Sequence, residues 1–152
     1  KAIAADLRAQ VAREVERAFP GARIAVEASG GLFRLLMHQP GLLRPLETTE
    51  LSDGTLRYLL ICAALLSARP APLLVLNEPE SSLHPDLLGS LGALITAASA
   101  ESQLIVVTHA EPLASALTEA GADIVRLEST GYGTRIAGRG MLDVPAWNWP
   151  TR

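Results

Sequence analysis

The run Leu74-Val75-Leu76-Asn77-Glu78-Pro79-Glu80-Ser81-Ser82-Leu83-His84-Pro85 constrains the fold more than any other part of the chain. Apolar residues end in a polar pair and then a proline turn, which is how a buried strand delivers a side chain to the edge of a parallel sheet. A second run, Leu104-Ile105-Val106-Val107, ends in Thr108-His109 in the same manner. Leu87, Leu88, Leu91, Leu94 and Ile95 share one helical face between the two runs. A further helix starts at Pro112 and ends at Gly121. Strands alternating with helices predict an α/β fold, a parallel sheet with crossover helices.

The first fifty residues read differently. Ile3, Leu7, Val11 and Val15 recur every fourth position, predicting an amphipathic helix from Lys1 to about Phe19 that Pro20-Gly21 stops. Residues 22–28 and 32–38 read as strands of a small antiparallel sheet around Ser29-Gly30-Gly31, and residues 39–50 as a connector. Residues 124–127 and 134–137 read as a closing hairpin around Gly131-Tyr132-Gly133. Residues 141–152 have no periodicity; Trp147 and Trp149 there are expected to plug an apolar groove rather than stack on bases, since no basic cluster flanks them. The expected organisation is a helix and small β region over 1–50, a main lobe over 51–140 and a tail over 141–152.

Upstream of both strands, Leu51-Ser52-Asp53-Gly54-Thr55-Leu56-Arg57 is a polar glycine turn feeding an apolar helix that runs to about Ser67. This turn resembles the signature loop of ABC-type ATPases, the Leu74 to Glu78 run their Walker B strand, and the Leu104 to His109 run their switch strand. The three occur in the superfamily's order over residues 51 to 109. The Ser-Asp-Gly-Thr and Glu-Pro-Glu-Ser-Ser-Leu-His-Pro wording is similar to the branch related to recombination, repair and SMC-like ATPases more than to membrane transporters.

The resemblance implies a three-layer, P-loop NTPase-like parallel sheet, here its C-terminal lobe only, with ATP and Mg²⁺ as cofactors. It implies that Glu78 polarises the attacking water and that His109 contacts the γ-phosphate. Ser52, Asp53, Gly54 and Thr55 would bind ATP held by a partner subunit, and Ser82, Leu83 and His84 would form the D-loop that crosses the interface of a nucleotide-bridged homodimer. Asn77 stands where the family has Asp. Its amide can hydrogen-bond a metal-bound water but brings no charge to Mg²⁺.

Each of these residues has a plainer role open to it. Glu78 can be a structural carboxylate, which at the end of a buried strand must be paired or hydrated. His109 can cap the strand by bonding backbone. Ser52 can be an ordinary helix N-cap, and Pro85 and Asp86 suit a helix start. His38 has no Cys or second His at ligand spacing, and Cys62 in an apolar helix reads as a small core residue.

A P-loop needs G-x-x-x-x-G-K-[ST], whose lysine reaches the outer phosphates. The sole lysine is Lys1, so no P-loop lies in these 152 residues. The P-loop half is expected before Lys1 or on another polypeptide. Without an apolar run near the roughly 18 residues of a membrane helix, and without a signal peptide, the expectation is a cytoplasmic protein with no membrane partner. A net charge of −3 lends DNA binding no support, although 12 of the 13 basic residues are arginine and a local patch stays open. Besides an ATPase acting through ATP-driven dimerisation, two readings fit: a weakly hydrolysing regulatory or interaction module, and the ATPase lobe of a nucleic-acid repair or defence system.

Overall fold

The computed structural model describes residues 2–131 and 133–138. The chain divides into two compact units, residues 1–121 and 122–152. Trp147 and Trp149 lie outside the described residues.

In the first unit, helix α1 (Ala2–Ala18) turns Val11 and Val15 inward and closes on Phe19, whose N–H donates to the Val15 carbonyl at 2.8 Å. Strands β1 (Arg23–Ser29) and β2 (Leu32–His38) pair antiparallel around the two-residue turn Gly30-Gly31. Ile24, Leu35 and the fully buried Met37 fall on one face of this hairpin and pack with Val15 in a small core. The segment read as a connector holds two short elements, the two-residue strand β3 (Leu46–Glu47), which pairs with β2 through Met37 and Leu46, and a 3-10 turn over Thr48–Glu50. Two residues are too few to show a period, so no pattern marked β3.

Helix α2 (Asp53–Leu65) follows, then strand β4 (Leu73–Asn77), helix α3 (Leu88–Ala98), strand β5 (Gln103–Val107) and helix α4 (Glu111–Glu119). β4 and β5 pair in parallel, Leu73 opposite Gln103 through Asn77 opposite Val107. Leu74, Leu76, Leu104 and Val106 point to the helical side, where they pack on a core containing Tyr58, Cys62, Leu91, Leu94 and Leu113. The Phe19 and Tyr58 rings meet edge to face at 5.6 Å. Burial pushes the Cys62 thiol up to about 12, in keeping with an inert core residue.

The apolar runs suit strands covered on both faces, yet only one face of this pair is covered among the described residues. Leu73, Val75, Ile105 and Val107 stay between 47% and 58% exposed on the other. No helix among the described residues is long and apolar enough to cross a membrane.

The second unit contributes the hairpin β6 (Leu127–Thr130) and β7 (Gly133–Ile136). Residues 124–126, expected to start this hairpin, are not strand. The register that sets Leu127 opposite Ile136 would set residue 125 opposite Gly138, and Gly138 has φ +74°, which turns the chain out of the ladder after one last bond from Ala137 N–H to the Arg126 carbonyl.

Candidate functional site

Helix α2 starts at Ser52, whose Oγ accepts from the Thr55 N–H at 3.2 Å and lies 2.9 Å from the Thr55 hydroxyl. The geometry is that of an N-cap, so the plainer role is filled. The same end of α2 presents backbone N–H groups and the positive end of the helix dipole to solvent. Asp53 in the first turn opposes an approaching anion with its carboxylate, so what position 53 can offer a phosphate is its backbone. Gly54 is buried, and a methyl group there would overlap the Ser82 carbonyl oxygen. Glycine at 54 is therefore required by the close approach of another backbone.

Ser52, Gly54 and Thr55 line one cavity of about 560 Å³ together with Ser82, Leu83 and His84, beside Ala18 at the end of α1 and Phe19 just after it. Two groups of residues far apart in sequence thus come together. His84 also caps the short turn Pro85–Leu87, its Nδ1 accepting from the Asp86 N–H at 3.3 Å.

The second gathering sits at the carboxyl ends of β4 and β5, the edge at which open parallel sheets bind ligands. The ladder continues one residue past Asn77, with the Glu78 N–H donating to the Val107 carbonyl at 2.7 Å. That register carries Glu78 to the strand end from which His109 projects. His109 Nδ1 lies 3.7 Å from Glu78 Oε1 and 3.6 Å from Glu80 Oε1. Both Glu78 and His109 face solvent, with side chains 48% and 75% exposed. Asn77 closes β4 on the open face, opposite Val107. Neither Glu78 nor His109 lines the cavity at the start of α2.

Two residues without a sequence-level role shape this edge. Glu80 is buried; its Oε1 accepts from the Thr108 hydroxyl at 2.5 Å and from the His109 N–H at 3.1 Å. Burial pushes its carboxyl up, but the bonds from Thr108 and from backbone N–H groups, including those of His109 and Ala110, outweigh it and hold the carboxyl below its ordinary range. Its Oε2 is buried without a partner among the described residues. The rule that a buried charge needs partners would have found Glu80 only once the register with Thr108 was known. Arg57, one turn beyond Gly54, donates from Nη2 to the Glu78 carbonyl at 2.7 Å.

Among the described residues, no three His, Cys, Asp or Glu side chains gather to hold a metal. Mg²⁺ is ordinarily held by one or two carboxylates, with phosphates and waters completing its shell. An Asn77 amide and a solvent-exposed Glu78 carboxylate, successive in the chain, are donors of a kind that suits such a shared site and not an all-protein one. The α2 terminus fits the outer end of a phosphate chain, and the described residues contain no lysine for the rest.

The profile of the family described as "AAA domain, putative AbiEii toxin, Type IV TA system" matches residues 4–114. No curated protein matches the chain. Among solved structures, a chain described as "Structural biochemistry of ATP-driven dimerization and DNA stimulated activation of SMC ATPases" superposes with TM-score 0.67 at 16% identity, covering 86% of this chain and 81% of that one. The Smc head from Pyrococcus furiosus, solved with an extended coiled coil and bound to the C-terminal domain of ScpA, gives 0.70 at 16% identity over 86% of this chain and 33% of that one. The SMC head domain from Thermotoga maritima gives 0.61 at 20% identity, over 86% and 46%. This chain thus spans less than half the length of the latter two. The likeness establishes the α/β fold of an SMC-type head, the P-loop NTPase architecture.

Proposed function

The chain belongs to this AAA domain family, and from that premise we propose that it is the signature, Walker B and switch lobe of an ABC-type ATPase, which binds and hydrolyses ATP when joined to a P-loop-bearing half. The observation that carries the proposal is the meeting of Glu78 and His109 at the carboxyl ends of two parallel strands, 3.7 Å apart and open to solvent.

In this reading Glu78 accepts the proton of the water that attacks the γ-phosphate, a contribution of roughly 10² to 10⁴ in rate. His109 faces the phosphate, held by its backbone bond to Glu80. Asn77 would be the residue that holds Mg²⁺, by hydrogen-bonding a metal-bound water, and the ion would supply charge neutralisation at the phosphates. The open face of β4 and β5 supports a missing half, because four half-exposed aliphatic side chains on a sheet are what another packed layer covers. The cavity at the start of α2 supports dimerisation through nucleotide, since Ser52, Gly54 and Ser82 line it together and Glu78 does not. They would then serve the partner's nucleotide while Glu78 serves its own.

Asn77 favours a second reading, a slow switch that uses ATP binding more than hydrolysis. The two separate in phosphate release against Mg²⁺ concentration, measured for wild type and Asn77→Asp in the P-loop-bearing protein. The added carboxylate should lower the Mg²⁺ needed for half-maximal turnover by about tenfold, the effect of roughly 1.4 kcal/mol of metal affinity. A rise in maximal turnover favours the slow-switch reading. Identical Mg²⁺ curves would place residue 77 outside the metal shell and remove the Walker B assignment.

A further inference from the structure

Two non-glycine residues among those described have left-handed backbone, Glu78 at φ +45° and Ser82 at φ +65°. Such a conformation costs about 1–3 kcal/mol and persists where its surroundings over-determine it. The two residues bracket the loop between β4 and the Pro85 turn, and helix α2 meets the carbonyl of each. Gly54 leaves just enough room for the Ser82 carbonyl, and Arg57 donates to the Glu78 carbonyl at 2.7 Å. Positions 54 and 57 are three apart, so both contacts lie on one face of one helix.

From this we infer that Arg57 is a positioning residue. Its guanidinium fixes the Glu78 peptide in the left-handed turn that sets the Glu78 carboxylate beside His109, and so makes the start of α2 and the Glu78 turn one rigid piece. The carbonyl it holds is also the acceptor for the Ser81 N–H at 3.1 Å, which closes a turn with Pro79 at its second position. Leu83 N–H to the Glu80 carbonyl, at 2.9 Å, closes the next turn. A cation on the shared acceptor therefore steadies the whole segment from Glu78 to Leu83. The catalytic consequence rests on the ATPase reading above: Ser52 touching one nucleotide and Glu78 touching another would move as a unit, and Arg57 is the link.

The test has two readouts. In this chain, amide hydrogen exchange at Ser81 and Leu83 should quicken by about 10- to 100-fold in Arg57→Ala and Arg57→Met, the loss of a charge-assisted bond. It should return towards wild type in Arg57→Lys, whose ammonium can still donate, while amides of α3 keep their protection in every variant. Wild-type exchange at Ser81 and Leu83 in the Ala and Met variants overturns the inference, as does a Lys variant as fast as Ala. In the P-loop-bearing protein, kcat should fall by at least about tenfold with the KM for ATP within about twofold, and Lys should recover most of it. A loosened turn with unchanged kcat overturns the catalytic part. A wild-type protein with no phosphate release would instead refute the ATPase reading, leaving the exchange data to judge what Arg57 holds.

Discussion

Glu80 is a carboxylate with almost all its surface covered and three kinds of group arranged around it: a hydroxyl, backbone amides and an imidazole. Its carboxyl is held below the ordinary range in the folded chain, so the unfolded chain binds its proton more readily. The sign follows: the stabilisation is fully present above the unfolded carboxyl's pKa, near 4.3, and is lost as pH falls through the lower folded value. Glu80→Gln keeps Oε1 as an acceptor and removes the charge. It should cost about 1–3 kcal/mol at neutral pH and flatten the acid limb of a plot of urea midpoint against pH. Glu50, lowered to about 2 by its bonds to Arg44 and to the Glu47 N–H, adds a slope of the same sign that both proteins retain. Parallel acid limbs for wild type and variant would show that the Thr108 and His109 bonds do not depend on charge. The placing of Glu78 and His109 at strand ends was legible from sequence, because Glu78 follows Asn77 at the end of one apolar run and His109 lies two residues past the other. Glu80 and Arg57 were not, because their partners are 28 and 21 residues away and appear only when the strands are in register.

At the scale of elements, the open face of β4 and β5 is the feature most exposed to test. Val75 is 58% exposed at its centre. Val75→Asp should shift the stability of the 152-residue chain by less than about 1 kcal/mol, the span of surface strand preferences. In the P-loop-bearing protein the same change would bury an unpaired carboxylate and should cost at least about 3 kcal/mol, read as a lower urea midpoint. Equal shifts in the two proteins would mean that nothing covers this face. The doubly apolar runs from 73 to 76 and 104 to 107 already carried this message, since a strand covered on one side alternates. The helices showed in the sequence through a period repeated several times, and β4 and β5 through unbroken apolar runs that end in polar residues. The sequence pattern did not show β3, which is too short to repeat, and it set the strands of the last hairpin too far from their turn: the ladder runs over Leu127–Thr130 and Gly133–Ile136, and the φ of Gly138, not the apolar Ile124 and Val125, sets its limit.

For the molecule as a whole, the described residues hold two gatherings: Ser52, Gly54, Thr55 and Ser82 around the start of α2, and Glu78 with His109 at the strand ends, with Arg57 of α2 bonded to the Glu78 carbonyl. On the fold of an SMC-type head, the proposed reading makes this arrangement one lobe of an ATPase, with the P-loop lysine and its glycine loop supplied from outside these 152 residues. The most direct test is Glu78→Gln in the P-loop-bearing protein, which keeps the shape of the side chain and removes its basicity. Paired measurements of ATP affinity and steady-state phosphate release should show affinity within about twofold of wild type and release lowered by about 10² or more. Unchanged phosphate release would contradict the account, because the account makes the Glu78 carboxylate the group that takes the proton.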